Sequence, residues 1–377
     1  MSRSSSPDAP PTKTRVTLSD VAQAAGVSVS VVSRELNGDP ALRARPETRQ
    51  RVRQAAEALG YTPSHAARSL RLAKAFAIGL LVPELTSPIY DPLIRGVEDT
   101  AERLGYRVII GRTERIEPGA DFLRRLAGEG RADGFLVQRR DEMDPRDFAS
   151  LIETGSPVVL VNSRGRRRGS AVLDDAAGAR MATEHLLQLG HRDIALIGGD
   201  EHSYTGKERE RGFVRAIRAA GMRKRSAWLL RSGYTPEAGR LAVRRLCVTT
   251  GRRPTAVVAA NMIQAVGALL GAREIGLKVP EQLSVIAIHD CWVAGYSRPR
   301  LTTIRMPMYQ LGQEAMRLLH LRLTGERAQD VMVTEPLPAL IERESIAPPP
   351  RRLIRGRVRE DQATPEAALS GAGTSDS

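Results

Sequence analysis

Between Thr17 and Asn37 the chain reads TLSDVAQAAGVSVSVVSRELN, and the polar side chains in it are of the kinds that read a nucleic acid. Thr17, Ser28, Ser33 and Asn37 carry short hydrogen-bonding groups suited to phosphate oxygens, Arg34 suits a base edge or a phosphate, Val29 can meet a thymine methyl, and Ser30 is permissive. Together with Leu18, at the start of the first helix, these form the expected DNA-contacting set. The residue types that catalysis needs are not gathered anywhere. There is no G-x-S-x-G, no GxGxxG and no His/Cys/Asp cluster at metal-ligand spacing. GDEHSYTGK, residues 199 to 207, superficially suggests a phosphate-binding loop, but six residues separate its glycines where four are needed, and Glu208 stands where a hydroxyl should hold magnesium. His185 and His191 bracket a helix-to-strand connection and read as structural. A non-enzyme without metal or cofactor is expected.

The elements that would position these groups follow from local signals. Thr17 with Asp20 three residues on makes a capping box, so a helix starts at Leu18. Leu18, Val21, Ala22 and Ala25 give it one apolar face. Gly26 ends it where positive φ is wanted, Ser28 caps a second helix at once, and Val32 and Leu36 point inward. The spacing predicts a helix-turn-helix. A third helix, PETRQRVRQAAEALGY, has Pro46 in its first turn. From Ala75 to about Ser345, apolar runs such as FAIGLLVPE, YRVIIGRT, RADGFLVQ and SPVVLVN alternate with amphipathic stretches, and a second set, DIALIGG, WLLRSG, TAVVAAN and SVIAIHD, follows. The alternation predicts two α/β halves with mostly parallel sheets. Ligands bind at the carboxyl ends of strands in such sheets, which directs attention to a cleft between the halves.

Composition sets the outer bounds. The chain has 377 residues, enough for two or three folding units, and a net charge of +14 from 57 basic and 43 acidic residues, which suits a polyanionic partner. Cys247 and Cys291 stand far apart and suit a reduced, cytoplasmic protein. The polar first fifteen residues lack the apolar segment of a signal peptide, and no run approaches a membrane span. Residues 1–15 and 346–377, rich in proline, charge and small residues, read as disordered tails.

The order and spacing of these motifs resemble the lactose/galactose repressor (LacI) family, from the helix-turn-helix to about Ser345. The resemblance implies an all-α DNA-binding headpiece (16–61), a hinge (62–75) and a two-lobed α/β effector domain (76–345) like that of periplasmic sugar-binding proteins. Lobe 1 would hold about 76–174 and 305–333, lobe 2 about 175–304 and 334–345, with three crossovers near Leu173, Leu301 to Ile304, and Thr334. TPSHAARSLR matches the family's hinge, in which Leu70 would wedge into the minor groove with Arg71 beside it. Val29 and Ser30 match the family's specificity positions, and Val31 departs from its usual threonine. The effector-contacting set implied is Tyr90, Asn162, Arg209, Tyr234, Asn261 and His289. Asn162, Met262 and His289 stand where relatives commonly have carboxylates, while Arg209 and Arg164 are retained, so an acidic effector such as a sugar acid or sugar phosphate is expected. The partners implied are a palindromic double-stranded operator, that effector, and a second copy of the chain in a homodimer, with no membrane. The alternative is a two-lobed binding protein without operator activity, and the headpiece with its hinge argues against it.

Overall fold

The structure, a computed structural model, describes residues 16–62, 69, 72, 74–113, 129–139, 155–165, 169–200, 202–222, 228–248 and 253–350. Leu70 and Arg71 of the hinge, and both tails through residue 15 and from residue 351, lie outside the described residues. The chain divides into two compact units, Met1–Lys74 and Ala75–Ser377. Ala75, expected in the hinge, therefore belongs to the second unit.

The first unit holds α1 (Leu18–Ala25), α2 (Val29–Leu36) and α3 (Pro46–Ala58). The Thr17 hydroxyl accepts from the Asp20 amide while the Asp20 carboxylate accepts from the Thr17 amide at 2.7 Å, the reciprocal capping box expected. Gly26 closes α1 at φ 63°, and the Ser28 hydroxyl caps α2. Val21, Ala22, Ala25, Val32, Val52 and Ala56 form the small core. One feature escapes the sequence pattern. Glu35 is buried, and its carboxylate lies 2.7 Å from the Arg53 guanidinium and 3.7 Å from that of Arg49, so charge as well as apolar contact binds α2 to α3.

The second unit contains two six-stranded sheets. In lobe 1, β1 (Ala77–Val82), β2 (Arg107–Arg112), β3 (Gly134–Val137), β4 (Val158–Val161), β5 (Ser170–Leu173) and β11 (Val331–Val333) run in the order β11-β5-β4-β3-β1-β2. In lobe 2, β6 (Ile194–Gly198), β7 (Leu229–Arg231), β8 (Ala256–Ala259), β9 (Ser284–Ile288), β10 (Thr302–Arg305) and β12 (Ala339–Ile341) run β12-β10-β9-β8-β6-β7. All pairings are parallel except β10 with β12. The apolar runs AIGLLV and SVIAI are buried at every position, as strands covered on both faces must be. Lobe 1 is covered by α4 (Asp91–Arg103) and α10 (Met308–Leu323), lobe 2 by α5 (Asp175–Gln188), α6 (Tyr204–Ala219), α7 (Pro236–Val248) and α8 (Met262–Glu274), with the short α9 (Trp292–Tyr296) after β9. The chain passes between lobes after β5, after β10 and after β11, three crossings at the places expected.

Sequence reading passes over β5, β10, β11, β12 and α10. It also places the start of the C-terminal tail too early. Ile346 is buried, and Ala347 accepts from the Ser284 hydroxyl at 3.0 Å and from His191 Nε2 at 2.8 Å, so the ordered chain continues past 345.

Candidate DNA-reading face and effector cavity

On α2, Val29, Ser30 and Arg34 are exposed, and Thr17, Ser28 and Asn37 are exposed around it, while Val32 is fully buried. Ser33 is partly covered, and its backbone carbonyl accepts a hydrogen bond from the Asn37 amide, which serves here as a cap. Leu18 differs from the rest of the set. Its side chain packs against the headpiece core, so it offers a duplex backbone atoms at most. The Arg34 guanidinium is half exposed and 3.8 Å from Asp39, a solvated pairing that a phosphate or base could replace at little cost.

In the second unit the six expected effector residues all line one cavity of about 610 Å³ between the lobes. Lobe 1 supplies Tyr90 from the turn at Pro88–Tyr90 and Asn162 just after β4. Lobe 2 supplies Arg209 from α6, Tyr234 after β7, Asn261 after β8 and His289 after β9. All but Arg209 sit beyond the carboxyl end of a strand or in the turn after it, which is where parallel sheets open their ligand sites.

What these residues touch divides them into two kinds. Arg209, nearly fully buried, makes a 2.7 Å ion pair with Asp175, donates through Nη1 to the Ala260 carbonyl at 2.6 Å and through Nη2 to His289 Nε2 at 2.8 Å, and stacks 5.7 Å over the Tyr234 ring. A guanidinium has no acceptor, so His289 Nε2 must accept, which puts the imidazole proton on Nδ1. Burial, and then the Arg209 charge, hold the His289 pKa well below the usual histidine range, so the ring is neutral. Its Nδ1 is buried without a hydrogen-bond partner among the described residues. Burial raises the Asp175 carboxyl pKa, opposed chiefly by Arg209.

Asn162 and Asn261 are largely spent on scaffolding. Asn162, at φ 47°, accepts from the Leu173 amide at 3.1 Å, and Asn261 caps α8 by accepting from the Gln264 amide at 2.6 Å while donating to the Tyr234 carbonyl at 3.2 Å. The Tyr234 hydroxyl meets Ser203 at 2.9 Å and Thr205 at 2.8 Å, so the segment that superficially suggests a phosphate loop serves to seat this tyrosine. Tyr90 accepts from Gln138 at 3.3 Å. Arg164 does not line the cavity. It reaches across to donate to the Tyr204 hydroxyl at 3.2 Å, and Arg139, which does line it, donates to the His202 carbonyl at 3.0 Å. Both contacts join lobe 1 to lobe 2.

Asp175 and Gln264 have a part in the site and escape the sequence reading. Asp175 is the more important, because it cancels the positive charge on which the expected acidic effector depends. Gln264, fully buried, accepts from the Ala260 amide at 2.8 Å and donates to the Gly198 carbonyl at 3.2 Å, tying the ends of β6 and β8 together. Asp290 turns away to Thr303 at 2.7 Å, Arg343 at 2.8 Å and Arg305 at 3.1 Å, where it braces the crossing strand β10. Among the described residues no group of His, Cys, Asp and Glu could hold a metal ion, and no helix is long and apolar enough to cross a membrane.

Comparison with known proteins agrees with this architecture. Residues 17–64 match the model of bacterial regulatory proteins of the lacI family, and residues 183–346 match a periplasmic binding protein-like domain. The HTH-type transcriptional repressor PurR of Erwinia tasmaniensis is 36% identical over 345 residues, 90% of this chain and 99% of that protein. A LacI family transcriptional regulator from Mycobacterium smegmatis, of known structure, is 39% identical with a TM-score of 0.67, over 72% of this chain and 99% of that one. The complex of the transcriptional regulator CelR with cellobiose is 29% identical with a TM-score of 0.64, over 88% of this chain and all of that one. With its helix-turn-helix headpiece and two-lobed α/β domain, the chain belongs to the LacI family of bacterial regulatory proteins and is a DNA-binding transcriptional repressor, not an enzyme.

Proposed function

We propose that this repressor acts as a homodimer on a palindromic operator of carbohydrate-metabolism genes, and that a small sugar or sugar derivative in the interlobe cavity changes its operator affinity. The observation that carries the effector half of this reading is the convergence of Tyr90, Asn162, Arg209, Tyr234, Asn261 and His289 from both lobes onto one cavity. A ligand held by both lobes favours one lobe angle over another. That preference, on the order of 1 to 3 kcal/mol, is what shifts operator affinity.

The charge of the cavity favours an uncharged effector over the acidic one expected from the sequence. Arg209 is matched by Asp175, and Arg231 by a two-pronged contact with Glu210 at 2.9 to 3.2 Å. Glu84 and Asp200 also line the space. Arg139 is the observation that keeps the acidic reading in play. The CelR complex, with its cellobiose, offers a neutral precedent in a protein of the same family.

A homodimer is supported by apolar side chains left in solvent at two places, Ile109 and Ile110 on the edge strand β2, and Trp292 and Tyr296 on α9, the last two 68% and 79% exposed. Each half of a palindrome would receive one α2.

Thermal shift against cellobiose, ribose, gluconate, glucose 6-phosphate and free nucleobases tests the effector class, the bases being included because two tyrosines line the cavity. Stabilisation by a neutral sugar is the expected outcome. Stabilisation by gluconate or glucose 6-phosphate alone would restore the acidic reading, and by a base alone would replace the sugar.

A further inference from the structure

The second unit begins with an arrangement that neither the DNA-reading face nor the cavity requires. The Asp133 carboxylate accepts two consecutive backbone amides at the point where the chain leaves the hinge, Ala75 through Oδ1 at 2.7 Å and Phe76 through Oδ2 at 2.8 Å. The Asp133 amide donates in return to the Ala77 carbonyl at 2.8 Å, and the Arg107 amide donates to the Phe76 carbonyl at 2.8 Å. Phe76 is held at φ 52°, a region that a side chain of this kind enters only when its surroundings impose it. Ala75 is buried. The backbone at Ala75 and Phe76, where the second unit begins, is therefore held by a carboxylate.

Asp133 immediately precedes β3. That strand is buried at all four positions and is paired on both sides, with β1 and with β4. Directly beyond its other end stand Gln138, bonded to Tyr90, and Arg139, which lines the cavity and reaches across to the His202 carbonyl of lobe 2. The span from Asp133 to Gln138 is about 16 Å of extended chain. A strand packed on both faces and paired on both edges moves as a rigid body, so a change of lobe angle at its cavity end is delivered at its hinge end.

We infer that Asp133 is the positioning residue through which the effector unit sets the path of the hinge: it pins Ala75 and Phe76 to the start of a buried strand whose far end meets both the cavity and the opposite lobe. This rests on the proposed reading that cavity occupancy controls operator affinity. Asp133 touches neither DNA nor effector in that role.

The test uses full-length wild type, Asp133→Asn and a variant with one glycine inserted between Lys74 and Ala75. The Asn side chain keeps the size but sets an N–H donor against an amide that needs an acceptor. The insertion leaves lobe 1 and the Asp133 contacts intact and displaces only the hinge. Three quantities are read: amide exchange at Ala75 and Phe76, affinity for the genomic DNA fragments that wild type enriches, and thermal shift with cellobiose, ribose, gluconate and glucose 6-phosphate. In Asp133→Asn, exchange at both amides rises at least tenfold, fragment affinity falls at least tenfold, and the ligand shifts stay as in wild type. The insertion variant loses fragment affinity to the same extent with slow exchange retained. Fragment affinity within twofold of wild type in either variant overturns the inference. Loss of the ligand shifts together with fragment affinity in Asp133→Asn makes Asp133 merely structural and overturns the inference. If wild type enriches no fragment at all, the proposed function fails first and this inference with it.

Discussion

Asp175→Ala is the most informative single perturbation of the cavity, because it separates the charge of Arg209 from its position. The two side chains are 0% and 4% exposed and 2.7 Å apart. Removing the carboxylate leaves the buried guanidinium without the Asp175 charge, while its hydrogen bonds to the Ala260 carbonyl and His289 remain. Breaking a buried pair in this way costs about 3 to 5 kcal/mol. For a unit of this size roughly 2 to 4 °C of Tm accompanies each kcal/mol, which predicts a fall of roughly 6 to 20 °C in calorimetric unfolding of the effector unit. Removing both charges, in Asp175→Ala with Arg209→Met, should recover part of the loss, giving a coupling free energy of about 2 kcal/mol or more in a double-mutant cycle. The recovery is incomplete because the Ala260 carbonyl then lacks its donor. The single variant should also bind gluconate or glucose 6-phosphate better than wild type does, relative to neutral sugars, since its cavity gains a positive charge. A Tm change under about 3 °C, or strict additivity in the cycle, would refute the claim that Asp175 neutralises Arg209.

Other consequences can be measured separately. Arg34→Ala should weaken operator binding by about 1 to 3 kcal/mol in a gel-shift titration if the guanidinium reads a base edge, with an unchanged affinity excluding that role. His289 and His191 both have pKa values lowered by burial from the 6.5 of the free side chain, so below pH 6.5 the unfolded chain binds protons that the folded one does not. Stability should accordingly fall as pH drops through 6.5, by up to about 1.4 kcal/mol per pH unit for each histidine, and His289→Gln should reduce that slope; denaturant melts between pH 7 and 5 that show none would contradict the burial argument. Gly96→Ala places a Cβ 2.0 Å from the Tyr309 carbonyl where α4 crosses α10, and should cost about 1 to 3 kcal/mol in urea unfolding of the full-length protein.

The headpiece is legible in the sequence because its signals are local. A capping box, a left-handed glycine and a second cap fix α1, the turn and α2 within a dozen residues, and each is found as read. Glu35 is not legible: a carboxylate on an amphipathic helix reads as solvated until α3 brings Arg49 and Arg53 to it. In the second unit most strands declare themselves by apolar runs that alternate with amphipathic stretches, whereas β10, β11 and β12, of three or four residues, stand outside that alternation. The repeat in α10 is present at Leu311, Ala315, Leu318 and Leu319, but Gly312 interrupts it; that glycine is there because a Cβ would lie 2.3 Å from the Leu93 carbonyl of α4. Most of the cavity set is legible through the resemblance to the LacI family, with the strand ends of a parallel sheet as the places to look. Its charge is not. Asp174 and Asp175 are neighbours of one type, and only the fold shows that the first caps α5 while the second is buried against Arg209.

Selection of genomic DNA fragments by the purified protein, with and without the panel of sugars, sugar acids, sugar phosphates and nucleobases, tests the central claim most directly. A ligand-responsive repressor of this family enriches fragments sharing one palindrome, and a single compound of the panel changes that enrichment at least fivefold. Enrichment of a palindrome that no cavity ligand alters, although the ligand binds, would contradict the coupling between cavity and operator on which the account depends.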